Sequence, residues 1–434
     1  MPAAPPRTGR TSMTTVNAPT NDTRDEGVLL VLSSGDRDYR SYCLASAAGR
    51  SPLVLVNATE PTWQLDHVRD HEVAHLNDLE QLRWAVARLA ERHDIKGVVT
   101  WDEYALVPAA HVAADLGVPG QSSATAAACR NKAASRAVWA SEGVPSAQSI
   151  RVTSLVTAAR AARRIGYPVV LKPAAHAGSI GVIKVEKPDD LSGAFAYAGG
   201  RAEDQGEEGS GVLVEEYLDG PEISVECVTR RGITTAVAVT RKELGPEPHF
   251  EEVGHVVAAG DPLLAQVGPV AEAALDALGM NSGISHVEMR LTADGPRLIE
   301  VNGRIGGDLI GHLVRLATGI DLAAAAADIA LGREPDLTPT RSGAAGVRFL
   351  YPAASGTVRT ARPRPELGSP AWLERLVWER HPGEQVLLPP AGDLGTARLG
   401  HMVVTGADAA QVHEHLAHAE GLLDIAVDPS PAED

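Results

Sequence analysis

Cysteine, aromatic side chains, long apolar runs and net positive charge are all scarce in this chain, and each scarcity closes off a class of protein. Its three cysteines, Cys43, Cys129 and Cys227, stand far apart in 434 residues. Their spacing suits neither a metal nor a redox pair, and the odd count builds no disulfide framework, so a reducing, cytoplasmic setting is expected. No apolar run approaches the ~20 residues of a membrane-spanning helix, and no membrane association is expected. The N-terminus is rich in Pro, Thr and Asn and lacks the apolar core of a signal peptide. Residues 1–26 are expected as a disordered tail, with Met13 a second candidate start. Aromatic residues are only 4% of the chain, which leaves Ala, Val, Leu and Ile to build the core. The formal charge of -17 argues against a nucleic-acid partner, which would call for a basic patch. It does not exclude a nucleotide, a small polyanion that needs only a local cationic pocket and magnesium.

What is present is ordinary for a soluble enzyme: 44% hydrophobic and 22% charged residues, in a chain too long for one core. From Gly27, apolar strand runs (Val28 to Ser34, Leu53 to Asn57, Ile95 to Thr100) alternate with helical stretches (Leu79 to Arg92, His111 to Leu116). That pattern predicts a doubly wound α/β unit over 27–123. No G-x-G-x-x-G follows its first strand, so dinucleotide binding has little support. A helical linker is expected from Ala124 to Gly143. A second α/β unit follows, with a helix from Leu155 to Arg164 stopped by Gly166 and Pro168. Residues 212–243 and 283–303 read as β-rich around a helix from Leu264 to Leu278, and an Ala-rich helix runs from Asp321 to Leu331. The expected units are 27–123, 124–213, 214–335 and a small α+β tail over 345–430.

Chemistry concentrates in a few places. His286-Val-Glu-Met-Arg-Leu and Leu298-Ile-Glu-Val-Asn-Gly-Arg304 read as two strands of a hairpin. Glu300 and Asn302 share a face, because side chains two apart on a strand point the same way. With Glu288 they offer two carboxylates and an amide oxygen, a hard-oxygen set suited to Mg²⁺ beside nucleotide phosphates; a solvated hairpin has the same pattern. Arg304 follows and can grip a phosphoryl group with two hydrogen bonds. In Lys172-Pro-Ala-Ala-His-Ala-Gly178-Ser179-Ile-Gly181, a lysine ends a strand and a small-residue turn can approach phosphates through its backbone N–H groups. No Lys-Ser/Thr follows those glycines, so this is not a Walker A loop, and a plain hairpin fits it equally well. Lys132 lies about forty residues earlier, a second lysine that can face phosphate or solvent. Val214-Glu215-Glu216-Tyr217-Leu218-Asp-Gly-Pro-Glu222 follows, an apolar strand whose backbone can meet an adenine and whose Glu222 can accept from ribose hydroxyls.

In that order (lysine, lysine, glycine loop, acidic hinge strand, Glu…Glu-x-Asn) the chain resembles the ATP-grasp superfamily over roughly residues 28–420. The resemblance implies an ATP-grasp fold with an N-terminal Rossmann-like parallel-sheet domain and a small C-terminal α+β domain. It implies that Lys132 and Lys172 contact ATP phosphates, with the Gly178–Gly181 loop as a lid. Glu215, Glu216, Tyr217 and Leu218 would border the adenine and Glu222 would hold the ribose. Glu288, Glu300 and Asn302 would bind two Mg²⁺, with Mn²⁺ an admissible substitute. Val301-Asn-Gly-Arg-Ile-Gly-Gly307-Asp308-Leu-Ile and Phe250-Glu-Glu252-Val-Gly-His255 further resemble the L-amino acid ligases, dipeptide synthetases of the bacilysin type. That likeness implies amide-bond formation between two amino acids through an acyl phosphate. Arg304 would stabilise the reacting groups, while Glu252 and His255 position the amino substrate and one of them takes its proton. Glu103, Gly307 and Asp308 would complete the substrate site. Asp308 falls where at least one relative carries a bulky aromatic, so no dipeptide preference carries over. A γ-glutamyl ligase, or one using a non-amino-acid acyl group, is the alternative on the same fold. The superfamily often forms homodimers, for which this sequence offers no legible interface.

Two histidine patterns are read as structural. His71-Glu-Val-Ala-His75 matches H-E-x-x-H but falls between strands, without a third ligand. His413, His415 and His418 fit no single metal motif and are expected on a solvated helix.

Overall fold

The computed structural model describes residues 27–176, 178–203, 211–245, 247–250, 252–389 and 391–429; the expected tail, 1–26, lies outside them. The chain opens with β1 (Val28–Leu32), α1 (Arg37–Ala48), β2 (Leu53–Asn57), β3 (Val68–Val73), α2 (Leu79–Arg92), β4 (Ile95–Val99) and α3 (Leu106–Leu116). The strands form a parallel sheet in the order β3-β2-β1-β4. All five residues of β1 are buried, because both sheet faces are covered. Leu29 and Val31 join one apolar cluster, while Val28, Leu30 and Leu32 join another with Leu82, Val86 and Leu89 of α2.

The expected single linker helix is two: α4 (Ser123–Arg130) and α5 (Lys132–Glu142). Asn131 breaks it. Its extended backbone ends α4, and its side chain accepts from the N–H groups of Ala133 and Ala134 to cap α5. Lys132 therefore starts a helix, and its backbone N–H reaches Ala174 O at 2.9 Å, beside the end of the Lys172 strand.

Then come β5 (Ser149–Val152), α6 (Leu155–Ile165), β6 (Val169–Pro173), β7 (Ile183–Val185), α7 (Leu191–Glu203) and β8 (Val212–Glu216), with an antiparallel sheet in the order β5-β8-β6-β7. The remainder holds β9 (Glu222–Arg230), β10 (Ile233–Leu244), β11 (Glu252–Ala258), α8 (Leu264–Ala277), β12 (Ser282–Thr292), β13 (Gly295–Asn302), α9 (Ile310–Thr318) and α10 (Leu322–Ala330). It ends with β14 (Ala344–Leu350), β15 (Gly356–Pro363), β16 (Leu373–Trp378), β17 (Gln385–Val386), β18 (Gly400–Gly406), α11 (Ala409–Glu420) and β19 (Leu423–Pro429). An eight-stranded sheet runs β13-β12-β9-β10-β11-β14-β18-β16, so three strands of the C-terminal stretch continue the sheet that carries the hairpin. One apolar cluster joins Leu29 and Leu44 to Val257, Leu313, Val347 and Val403. Gly97 lets α10 lie against β4: a Cβ there would stand 2.4 Å from Ala330 O.

Neither histidine pattern behaves as a metal motif. His71 sits on the edge strand β3, 3.1 Å from Glu60. The helix α11 is less solvated than expected, because His415 stacks on Trp372 at 4.4 Å and His413 pairs with Glu243.

Candidate active site

The hairpin register sets Glu288 directly opposite Glu300, and His286 opposite Asn302. Like charges facing across a strand pair repel, and nearby cations offset that here. Lys242 Nζ is 2.8 Å from Glu288 Oε1, and Lys132 Nζ is 3.0 Å from Glu300 Oε1. His286 bridges Glu226 (2.7 Å) and Glu288 (3.0 Å). Burial works against its charge, but the two carboxylates outweigh burial and push its pKa up to about 9. Burial likewise opposes ionisation of Glu288, yet Lys242 and His286 hold it well below the usual carboxylate range. Asn302 donates Nδ2 to Glu300 Oε1 at 2.8 Å, so its oxygen is the atom it can offer an ion. Among the described residues both carboxylates take their partners on Oε1, which leaves each Oε2 to offer as well. These residues fit a Mg²⁺ donor set.

Lys172, the penultimate residue of β6, is buried, with Nζ 2.6 Å from Glu215 Oε2. Arg136 grips the same carboxylate with two hydrogen bonds, at 2.9 and 3.0 Å. Burial disfavours the Glu215 charge, but Arg136 and Lys172 together lower its pKa to about 2. Lys172 is pulled below its ordinary value, first by burial and then by Arg136 and Lys132. One carboxylate shared between two cations leaves the anion over-compensated and the lysine under-compensated.

The turn after β6 has left-handed backbone at Gly178, Ser179 and Gly181. On the hinge, Glu216 pairs with Arg297 at 2.7 Å, and Tyr217 lies under Lys184 Nζ and donates to Glu247. Glu222 is held by Arg290 at 3.0 Å.

At the other end, Glu252 Oε1 meets Lys242 at 2.7 Å while Oε2 lies 3.2 Å from His255 Nε2. Asp308 Oδ2 is 3.8 Å from the same nitrogen, and its Oδ1 takes Arg398 at 2.8 Å. Arg398 stacks over Phe349 at 3.8 Å and donates to the Tyr39 and Tyr351 hydroxyls. Burial lowers His255, but Asp308 and Glu252 overcome it and leave the pKa raised; that favours a positioning role over proton removal. Asp308 and Leu309 both adopt positive φ, 48° and 65°, a conformation rare outside glycine that here turns Asp308 toward the cavity. Arg304 Nε is 2.7 Å from Glu103 Oε2.

One cavity of about 430 Å³ joins these groups. It is lined by every site residue named from the sequence except Gly181, Glu103 and His255. Glu103 lies behind Arg304 as its partner, and His255 is wholly buried beneath Glu252 and Asp308. Sequence reading assigned no role to Arg136, Lys242, His286, Arg290 or Arg398. A signal existed for the first two. Arg136 follows Lys132 by one helical turn and so shares its face. Adjacent Arg241 and Lys242 on a strand cannot both face solvent. For Arg398 there was no local signal.

The family model described as an ATP-grasp domain matches residues 165–312. The chain is 31% identical to the phosphoribosylamine–glycine ligase of Streptomyces coelicolor over 67% of this chain and 72% of that protein. It is 22% identical to the L-arginine-specific L-amino acid ligase of Bacillus subtilis, over 76% and 78%. Among solved structures it is similar to an L-amino acid ligase from Bacillus licheniformis, with a TM-score of 0.78, 22% identity, and coverage of 93% of this chain and 99% of that one.

Proposed function

This chain belongs to the ATP-grasp family of ATP-dependent ligases, and on that premise we propose that it joins the carboxylate of one amino acid to the amine of another. The observation that carries this reading is one cavity lined by Lys132, Lys172 and the facing carboxylates, in which Lys242 joins Glu288 to Glu252, with Asp308 and Arg304 also on its wall. A substrate carboxylate oxygen attacks the γ-phosphorus of ATP, and the bond to the bridging oxygen breaks to release ADP. The ammonium of the second substrate gives one proton to Glu252. Its neutral nitrogen then attacks the acyl carbon of the acyl phosphate, phosphate leaves with the C–O bond electrons, and the nitrogen's second proton goes to the departing phosphate. Two Mg²⁺ ions, or Mn²⁺, held by Glu288, Glu300 and Asn302 would supply charge neutralisation to the phosphates.

Lys132 and Lys172 orient the phosphates, and Arg304, fixed by Glu103, faces the developing negative charge. Glu222 takes the ribose, while the hinge from Glu215 to Leu218 borders the base. Glu252 and Asp308 hold an ammonium group and exclude water from it, and His255 positions the two carboxylates from beneath. One observation favours a second reading, a non-amino-acid acyl donor: of the two carboxylates that could meet a donor's ammonium, Glu103 and Glu252, the first is committed to Arg304. Phosphate release from ATP and Mg²⁺ across all pairs of proteinogenic amino acids, and across pairs of simple carboxylates with the same amino acids, with mass spectrometry of the products, tests both. A product one water lighter than its two substrates is expected. Turnover only with simple carboxylates as donors would replace the first reading by the second.

A further inference from the structure

Glu215 is engaged twice, and the second engagement is more than Lys172 needs for its own neutralisation. Lys172 Nζ meets Oε2 at 2.6 Å; Arg136 meets Oε1 through Nε at 2.9 Å and Oε2 through Nη2 at 3.0 Å. Nη2 also donates to Ile299 O at 2.6 Å, next to Glu300. The three side chains are only 4–5% exposed.

We propose that Arg136 is a positioning residue for the nucleotide: it is the permanent partner of Glu215, so that Lys172 can leave for the ATP phosphates without stranding a buried carboxylate. The proposal rests on the assignment of Lys172 to phosphate. A buried ion pair is costly to break because the remaining charge has no solvent to turn to. Were Lys172 the sole partner of Glu215, ATP would have to break such a pair each time it bound. With Arg136 in place, the carboxylate keeps two hydrogen bonds after Lys172 departs. The bond to Ile299 O holds the arginine itself against the strand that carries Glu300 and Asn302, so the hinge and the ion-binding strand share one anchor.

The test is calorimetric titration of the full-length chain with ATP and with adenosine, in Mg²⁺, alongside a denaturant midpoint for each variant. Adenosine has no phosphate and does not draw Lys172 away, so it separates this role from a structural one. Arg136→Met should weaken ATP binding by ~10- to 100-fold and leave adenosine within about twofold. On a Glu215→Gln background, where no charge is left to strand, Arg136→Met should change ATP affinity by no more than about threefold relative to Glu215→Gln alone. If Arg136→Met does not fold, Arg136→Lys, which keeps the charge and loses the fork, should show an intermediate loss for ATP alone. Equal weakening of ATP and adenosine, or an undiminished loss on the Glu215→Gln background, would overturn the proposal and leave Arg136 a structural residue. Absence of ATP binding by the unsubstituted chain would instead remove the phosphate assignment on which it rests.

Discussion

At the end of the cavity proposed for phosphate, Lys132, Lys172, Glu288 and Glu300 each sit in a short segment that is ambiguous alone and becomes legible through the order of those segments. At the far end, Asp308 is held by Arg398, ninety residues later in the chain, and by way of Arg398 it is tied to Tyr39 near the start. The first arrangement is a set of local devices brought together by strand pairing. The second exists only once β18 has extended the central sheet and α1 has packed nearby. Chemistry common to a family can be written in local devices; the surroundings of one substrate can be changed by substituting distant residues without disturbing them.

The strongest way to break this contrast is to attack the chemistry directly. Glu300→Gln and Arg304→Ala should each reduce turnover by ~100- to 1,000-fold, read as phosphate release, with the circular dichroism spectrum unchanged. Near-normal turnover in both, with folding intact, would remove these residues from the reaction. Next in size is the far end. Arg398→Met takes from the half-buried Asp308 its closest cation, and should cost about 1–3 kcal/mol in a urea titration. Asp308→Asn added to it should recover most of that loss. A small effect of Arg398→Met would mean that Asp308 does not depend on the C-terminal stretch.

These two sites also show what was legible. Strand periodicity and the Glu…Glu-x-Asn spacing were enough to place the hairpin, because register follows from alternation. The parallel sheet was legible in continuous apolar runs such as Val28–Leu32. The break at Asn131 was not foreseen, because the helical pattern resumes on both sides and only the cap geometry stops it. Arg398 was invisible for a different reason: its partners at positions 39, 308 and 351 are brought to it by tertiary structure alone. Glu103 carries a third lesson. Its acidic turn suggested a substrate contact, and the nearest cation proved to be Arg304.

An effect of comparable size sharpens the contrast through pH. Glu215 has its pKa lowered to about 2 from the ordinary 4.5, so its ionised form stabilises the fold fully above pH 4.5 and that contribution fades as pH falls toward 2. The shift corresponds to roughly 3 kcal/mol. Glu215→Gln should therefore flatten the stability profile between about pH 4.5 and 2 in acid titrations followed by tryptophan fluorescence. An unchanged profile would show that Arg136 and Lys172 do not stabilise the carboxylate.

The smallest expected effect lies at an exposed pair beside Tyr217 of the hinge. Lys184 on β7 holds Glu247 through both carboxylate oxygens, at 2.8 and 3.0 Å, while its backbone N–H donates to Pro248 O. This clasp resembles the Arg136–Glu215 pair in its two contacts but not in its setting, since the Glu247 side chain is 51% exposed. Water and salt compete for it, and both long side chains lose freedom to make it. Glu247→Gln should accordingly cost no more than ~0.5 kcal/mol at low salt, and the difference from the unsubstituted chain should vanish near 1 M salt, where the screening length falls to about 3 Å. A loss above about 2 kcal/mol, or one indifferent to salt, would mean that the clasp acts as a buried pair does. The contrast that matters would then be one of connectivity rather than exposure.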